Sequence, residues 1–494
     1  MILSKFIKVC QNPLLLLAVI VIGAFVVRQY RINIPLGDWH SWRQADTAAV
    51  SRNFIKEGFD LLHPRYDDMS PVSEASLPNP NRYRFVEFPL YNTIVALVYK
   101  VTGNVEVIYG RQVSVVFSLI SIVFLYLVTS RFLGVRVGLL AAFFFAFVPY
   151  NIFFSRVFLP EPMMVATSLA TLYFFSLFLD EERRSTAPMK SLLWCFLSAT
   201  LFAATLLVKP YMFYLLLPMG YLTWEKLGAR ALLHKKLYLF LLLSVLPLGL
   251  WRLWMLQYPE GIPRITWLFN GGNIRFKGAF FHWIVEERLG REILTVGGFA
   301  LAVVGILWRP KPGQSWMFHW WLVGVFLYVV IIARGNVEHD YYQIPLVPIL
   351  SVMMARGVEF MLFTARSYFP LFVSAPLALC LVVSIGAFGW YQVRGFYQIN
   401  HGEIMQAGDV ARKILPADAR VIAPYTGDTA FLYQLDRPGW PVMYTSLDNL
   451  IKLGATHFVS VNFDQDTKEV MNKYTIIYQA PNFVIVDLRK IKTN

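Results

Sequence analysis

Eleven consecutive residues, Gly37-Asp38-Trp39-His40-Ser41-Trp42-Arg43-Gln44-Ala45-Asp46-Thr47, hold two carboxylates, an imidazole, a guanidinium and two indoles. A carboxylate placed among such groups can take a proton from a hydroxyl. A guanidinium can grip anionic oxygens through its planar fork. Asp46 is the first candidate for a base and Asp38 the second; His40, Trp42, Arg43 and Gln44 are candidate binding residues, joined further along by Arg52. An interfacial belt accounts for the Trp residues, but not for two Asp beside an apolar boundary. The plainer reading of Asp46 is a carboxylate opening a helix from Asp46-Thr47-Ala48 to a stop at Gly58, where the helix dipole favours it.

Three later stretches carry similar groups. Glu87 precedes Phe88-Pro89; Arg156 and Glu161 flank a short run, with Glu161 between Pro160 and Pro162; and Arg334 is followed by His339-Asp340-Tyr341-Tyr342. A carboxylate at the mouth of an apolar segment is costly unless paired or functional, and Arg156 is the partner at hand for Glu161. Arg43, Arg52, Arg156 and Arg334, with His339, are the donors available for an anion. His339 and Asp340 could join Glu87 or Glu161 around a divalent cation, although strong metal spacings such as His-x-x-x-His are absent. No other cofactor is indicated.

These residues punctuate a chain of 494 residues that is 56% hydrophobic, 15% charged and has a mean hydropathy of +0.50. Soluble domains are about 25% charged, so disorder, collagen and disulfide-stapled scaffolds are excluded and a polytopic helical membrane protein remains. Runs approaching the ~20 residues needed to cross a bilayer fall near 12–30, 111–130, 137–153, 162–180, 191–208, 211–224, 237–257, 293–308, 316–333, 344–363 and 369–391. With Lys5 and Lys8 inside, the other short inside loops hold Arg131 and Arg136; Arg183, Arg184 and Lys190; Lys226, Arg230, Lys235 and Lys236; Arg309 and Lys311; and Arg366. Every one is basic, as the positive-inside rule requires. The first segment lacks a small-residue cleavage site and reads as an uncleaved span. The loops 31–90, 154–161, 258–291 and 334–343 and the tail 392–494 then share the outer side of an inner (plasma) membrane.

Residues 400–494 hold ten Lys/Arg and ten Asp/Glu, so the whole net charge of +14 lies in residues 1–399. It orients the membrane part and gives no footing for nucleic acid. Cys10, Cys195 and Cys380 form no ligand or disulfide pattern. The chain divides into a membrane part, 1–391, carrying the outer loop 31–90, and a tail, 392–494. The tail reads as a small α/β domain: a helix near 402–415, strands at 420–423, 457–461 and 474–478, and a fourth at 483–486 closing a hairpin after Pro481-Asn482. It has the place of a cover or docking surface. The segment 60–83, rich in Pro, Asp and Ser, could be a mobile lid.

The layout resembles the GT-C superfamily of membrane glycosyltransferases, and within it the branch of protein O-mannosyltransferases and the aminoarabinose transferase of lipid A. The resemblance rests on His40 to Ala48 with Arg52-Asn53-Phe54, on Glu87-Phe88-Pro89-Leu90-Tyr91, on Ser155 to Glu161, and on His339 to Tyr342 before Pro345 and Pro348. It covers roughly 1–390. Two positions depart from it: Arg43-Gln44 stand where better-known members carry Asp-Glu, and Glu87 where they often carry Lys.

The resemblance implies a GT-C-like helical fold and inverting transfer of a sugar from a polyprenyl-phosphate donor to an envelope acceptor (lipid, glycan or protein). Such transfer needs a base for the acceptor hydroxyl and cations for the departing phosphate, both at membrane level. Tyr341 and Tyr342, with Tyr83, Tyr91 and the Trp pair, could stack on sugar rings. A transporter or flippase of a lipid-linked sugar would instead show internal repeats and ionisable residues within spans. An inactive scaffold of an envelope-glycan pathway is the third reading, suggested by the missing Asp-Glu.

Overall fold

The computed structural model describes residues 12–184, 187–365 and 368–492. Lys5, Lys8, Cys10 and Arg366 lie outside them. The chain forms two compact units. One comprises the segment ending at Ile32 with Gln112–Trp251 and Ile265–Gly395; the other comprises Asn33–Arg111, Arg252–Arg264 and Phe396–Asn494.

The first unit is helical, as its apolar runs dictate. Among the described residues, six helical stretches are long and apolar enough to cross a membrane, and a bent pair brings the number to seven. Three shorter apolar helices, Pro13–Arg28, Val135–Phe147 and Met317–Ile331, accompany them. Asn12 starts the first, its side chain accepting from the backbone N–H groups of Leu14 and Leu15 while Pro13 supplies a preset φ. The bent pair, Gly278–Ile293 and Thr295–Leu307, turns by 110° at a residue with φ +57°, Thr295.

Small residues set the closest helix crossing. A Cβ on Gly305 would lie 1.9 Å from the Met353 carbonyl oxygen, and one on Gly357 would lie 2.1 Å from that of Leu301. The helices Thr295–Leu307 and Val347–Glu359 therefore touch backbone to backbone, the packing that replaces the hydrophobic effect between helices in lipid.

The second unit is built on a five-stranded sheet: β1 (Val421–Ile422), β2 (Gly439–Trp440), β3 (His457–Ser460), β4 (Tyr474–Ala480) and β5 (Phe483–Ile491), in the order β2-β1-β3-β5-β4. The β2-β1-β3 ladders are parallel, and β3-β5 and β4-β5 antiparallel, so the anticipated hairpin closes the sheet. β5 is buried from Phe483 to Leu488 because both sheet faces are covered. Phe483 and Ile485 join one core with Val421 and Val459, while Val484 and Val486 join another with Ile422 and Phe458. That is the period of two expected of a strand.

The tail does not stand alone, which corrects the division at 391/392. Ala45 of the first loop sits in the core with Ala407, Phe431 and Leu435, and Met69 sits in the other with Trp440 and Leu450. Asp67 and Met69 also cover the sheet edge: the Gly439 N–H donates to the Asp67 carbonyl at 2.9 Å and the Met69 N–H donates to the Gly439 carbonyl at 2.7 Å. Loop and tail are one folding unit. The segment 60–83 is accordingly joined to the sheet edge at Asp68–Gly439, and a second bridge, between Arg65 and Tyr83, closes the segment on itself.

Candidate active site

The first-loop helix runs from Ser41 to Lys56, five residues earlier than Asp46-Thr47-Ala48 suggested. His40 precedes it in a left-handed conformation (φ 56°, ψ 39°) and provides no side-chain cap. Such a backbone costs about 1–3 kcal/mol in a non-glycine residue and persists only where surroundings impose it. Asp46 is therefore in mid-helix, and the helix-dipole explanation of it does not hold. Every residue from Arg43 to Phe54 is buried, polar ones included. A helix of this kind has to find partners for its polar groups inside the protein.

Asp38 and Asp46 find different ones. Asp38 Oδ1 accepts from Gln44 Nε2 at 2.8 Å and from Arg111 Nη2 at 3.0 Å, and both members of the Asp38–Arg111 ion pair are fully buried. Arg111 also donates to the Ile34 carbonyl, which fixes the loop carrying Asp38. Asp46 is held at both oxygens: Arg84 pairs with Oδ2, and Thr429 Oγ1 donates to Oδ1 at 2.7 Å. The Thr429 hydroxyl also lies 3.1 Å from the carbonyl oxygen of Trp42.

Arg43, next to Gln44, pairs with Glu87. Arg252 lies within electrostatic reach of the same carboxylate. Glu87 is thus flanked by two guanidiniums, and consecutive residues in the opening turns of one helix bind the Asp38 pair and the Glu87 group. Trp39 stacks flat on Phe396, with ring centroids 4.9 Å apart, and lies 5.1 Å from the His40 ring.

Arg52 is used up structurally. It pairs with Asp67 and Asp436, donates to the Tyr433 carbonyl at 3.0 Å and lies over the Tyr433 ring. Burial opposes its charge, but the two carboxylates outweigh it and raise its pKa further. Asp68, near Asp46 and Arg84, is pushed up to about 6 by burial; the Asp46 charge adds to this, while hydrogen bonds from Ser70 and the charge of Arg84 oppose it. Burial also raises Asp428, against hydrogen bonds from Ala430 and Ser41.

In the helical unit, Arg156 is fully buried and donates to the Arg31 carbonyl at 3.0 Å. The ion-pair partner of Glu161 is Lys209, at 2.8 Å. Arg334 pairs with Glu338 four residues on. His339 stacks on Tyr341 and Tyr342 and meets Trp267 edge-on. Tyr211 extends this cluster, 4.8 Å from Tyr328 and 5.9 Å from Tyr342. Tyr83 and Tyr91 have structural roles: Tyr83 packs on Tyr258, and the Tyr91 hydroxyl donates to the Gly110 carbonyl at 2.8 Å. Among the described residues, no three or more His, Cys, Asp or Glu side chains group closely enough to hold a metal ion.

Sequence reasoning missed Arg84, Arg111, Lys209 and Arg252. Arg111 and Lys209 stand at the edges of apolar runs, where a cation reads as punctuation, and Arg252 lies inside one; an unusual carboxylate in need of a partner was the available signal.

The backbone as a whole can be compared with solved structures. ArnT from Cupriavidus metallidurans bound to undecaprenyl phosphate superposes with a TM-score of 0.59 at 13% identity, covering 96% of this chain and 97% of that one. The archaeal oligosaccharyltransferase AglB from Archaeoglobus fulgidus, in complex with an inhibitory peptide and a dolichol-phosphate, gives 0.55 at 11% identity, covering 97% and 75%. The fold is GT-C. The family model for dolichyl-phosphate-mannose-protein mannosyltransferases matches residues 86–254 of this chain. That segment begins one residue before Glu87 and includes Arg111, Arg156, Glu161, Lys209 and Arg252. No curated protein matches by sequence.

Proposed function

We propose that this protein is a membrane glycosyltransferase that moves a sugar from a polyprenyl-phosphate donor to an envelope acceptor. The observation that carries the reading is the match of residues 86–254 to mannosyltransferases that use a polyprenyl-type phosphate donor. The undecaprenyl phosphate bound to ArnT, which shares the fold, supports the same class of donor.

In this reading Asp38 accepts the proton of the acceptor hydroxyl, with Arg111 and Gln44 as positioning residues. Asp46, first choice from the sequence, becomes second, because it sits inside the helix and ties the loop to the tail through Arg84 and Thr429. The acceptor oxygen attacks the anomeric carbon as the bond to the phosphate oxygen breaks, inverting that carbon. The phosphate leaves with the electron pair, toward Arg43 and Arg252 beside Glu87. Such donors act best where water is excluded.

Six long apolar helical stretches, a seventh in the bent pair and three shorter apolar helices support a many-pass arrangement of about eleven crossings. The basic character of the remaining loops supports an outer-side location, at the inner membrane, for the first loop and the tail. The test is transfer from labelled polyprenyl-phosphate sugars by purified protein. Loss of transfer in Asp38→Asn supports the reading. Wild-type protein that transfers nothing from any lipid donor, yet moves lipids between leaflets, would make it a transporter.

A further inference from the structure

A second cavity lies in the helical unit, lined by cations of the basic loops and by none of the candidate site residues. Where the helix Glu161–Arg184 ends, a cavity of about 630 Å³ opens against the ends of Val107–Leu133, Pro188–Val208 and Leu216–Leu227. Ligand pockets commonly measure about 300–1,000 Å³. The walls carry five cationic side chains against three carboxylates.

The carboxylates are already engaged. Asp180 bridges Arg131 and Lys226, the latter at 2.9 Å; Glu181 faces Lys190 at 3.6 Å; and Glu225 accepts from Ser315 Oγ at 2.9 Å. Glu182 is not in the wall, being taken by Lys236 and His234. Arg183 and Arg184 are exposed and form no ion pair among the described residues. The positive-inside rule explains cations at helix ends, but not a recess in which two of the three acids are ion-paired, the third is hydrogen-bonded and two guanidiniums are left over.

Phe132, Leu177 and Trp194 are the apolar side chains of the wall; Trp194 stacks on Phe174, and its helix, Pro188–Val208, also exposes Met189, Leu193 and Phe196. Indoles favour the headgroup layer, and basic pockets between membrane helices suit anionic headgroups.

We infer that this cavity is a binding site for a phosphate-bearing anion, with Arg183 and Arg184 as its principal ligands and Phe132, Leu177 and Trp194 packing on the acyl chains of an anionic phospholipid.

The test uses the full-length protein in neutral detergent, with phosphatidylglycerol, phosphatidylcholine and inorganic phosphate as separate probes, read by native mass spectrometry and thermal shift. Saturable binding of phosphatidylglycerol, weakened about tenfold or more in Arg183→Gln/Arg184→Gln and retained in Arg183→Lys/Arg184→Lys, is expected from about 1 kcal/mol per basic residue. Competition by inorganic phosphate at similar concentration would assign the site to a free anion; its failure to compete assigns the site to the lipid. Equal binding of phosphatidylcholine, or full binding by the Gln pair, would overturn the proposal. Sugar transfer should be unchanged in the Gln pair, because neither Arg belongs to the proposed transfer machinery.

Discussion

Thr429 Oγ1 donates to Asp46 Oδ1 at 2.7 Å across 383 residues of sequence. The bond ties the tail to the first-loop helix at a carboxylate whose other oxygen pairs with Arg84. Asp46 thus joins loop and tail. Asp46→Ala should cost about 3–5 kcal/mol, because it strands the Arg84 guanidinium. Thr429→Val should cost about 1–2 kcal/mol. Thermal unfolding of the full-length protein in detergent checks both; equal effects would contradict the ranking.

Truncation after Gly395 removes the sheet on which Ala45 and Met69 pack. The shortened protein should lose sugar transfer, with residues 41–69 becoming sensitive to protease. Persistence of transfer would show that the loop folds without the tail.

The raised pKa of Asp68, about 6 against a model-peptide value near 4, sets a pH dependence. Between those values the folded state binds more protons than the unfolded one, so this group's contribution is full below pH 4 and is lost as pH rises through 6. Asp68→Asn should raise the melting temperature at pH 7.5 and flatten its pH dependence between 4 and 6. A steeper profile in the variant would be the contrary result.

Gly305→Leu should separate the helices Thr295–Leu307 and Val347–Glu359, since even a Cβ meets the Met353 carbonyl oxygen at 1.9 Å. A loss of at least about 1–3 kcal/mol is expected from overpacking, read as a lower melting temperature. Gly386→Ala, where no atom lies within 4 Å, is the neutral control.

How much of this was legible beforehand follows from the residues themselves. The apolar runs are long and self-declaring, so every expected segment is helical. The helix at Ser41 was misplaced because His40 offers no capping signature, while Asp46-Thr47 imitates one. β2 was missed because Gly439-Trp440 is two residues long and pairs with equally short β1, leaving no period to read. Asp38, His40 and Arg43 stood out by type and crowding. Arg111, which pairs with Asp38, Arg252, which faces Glu87 with Arg43, and Arg84, which binds Asp46, did not, because long-range pairing leaves no mark in local sequence.

Arg252→Gln and Arg43→Gln should each lower kcat for transfer by about 10²–10³, the typical effect of removing one donor to developing charge. The substrate concentration giving half-maximal rate should move less. A change confined to KM would instead assign them to ground-state binding.

The most direct measurement is the rate of sugar release from a labelled polyprenyl-phosphate sugar to acceptor by Asp38→Asn and Asp46→Asn, each checked for folding by its melting temperature. The account predicts that Asp38→Asn, with its fold retained, loses about 10²–10⁴ in kcat. Asp46→Asn should lose stability before it loses turnover. Wild-type turnover in a folded Asp38→Asn protein would contradict the assignment.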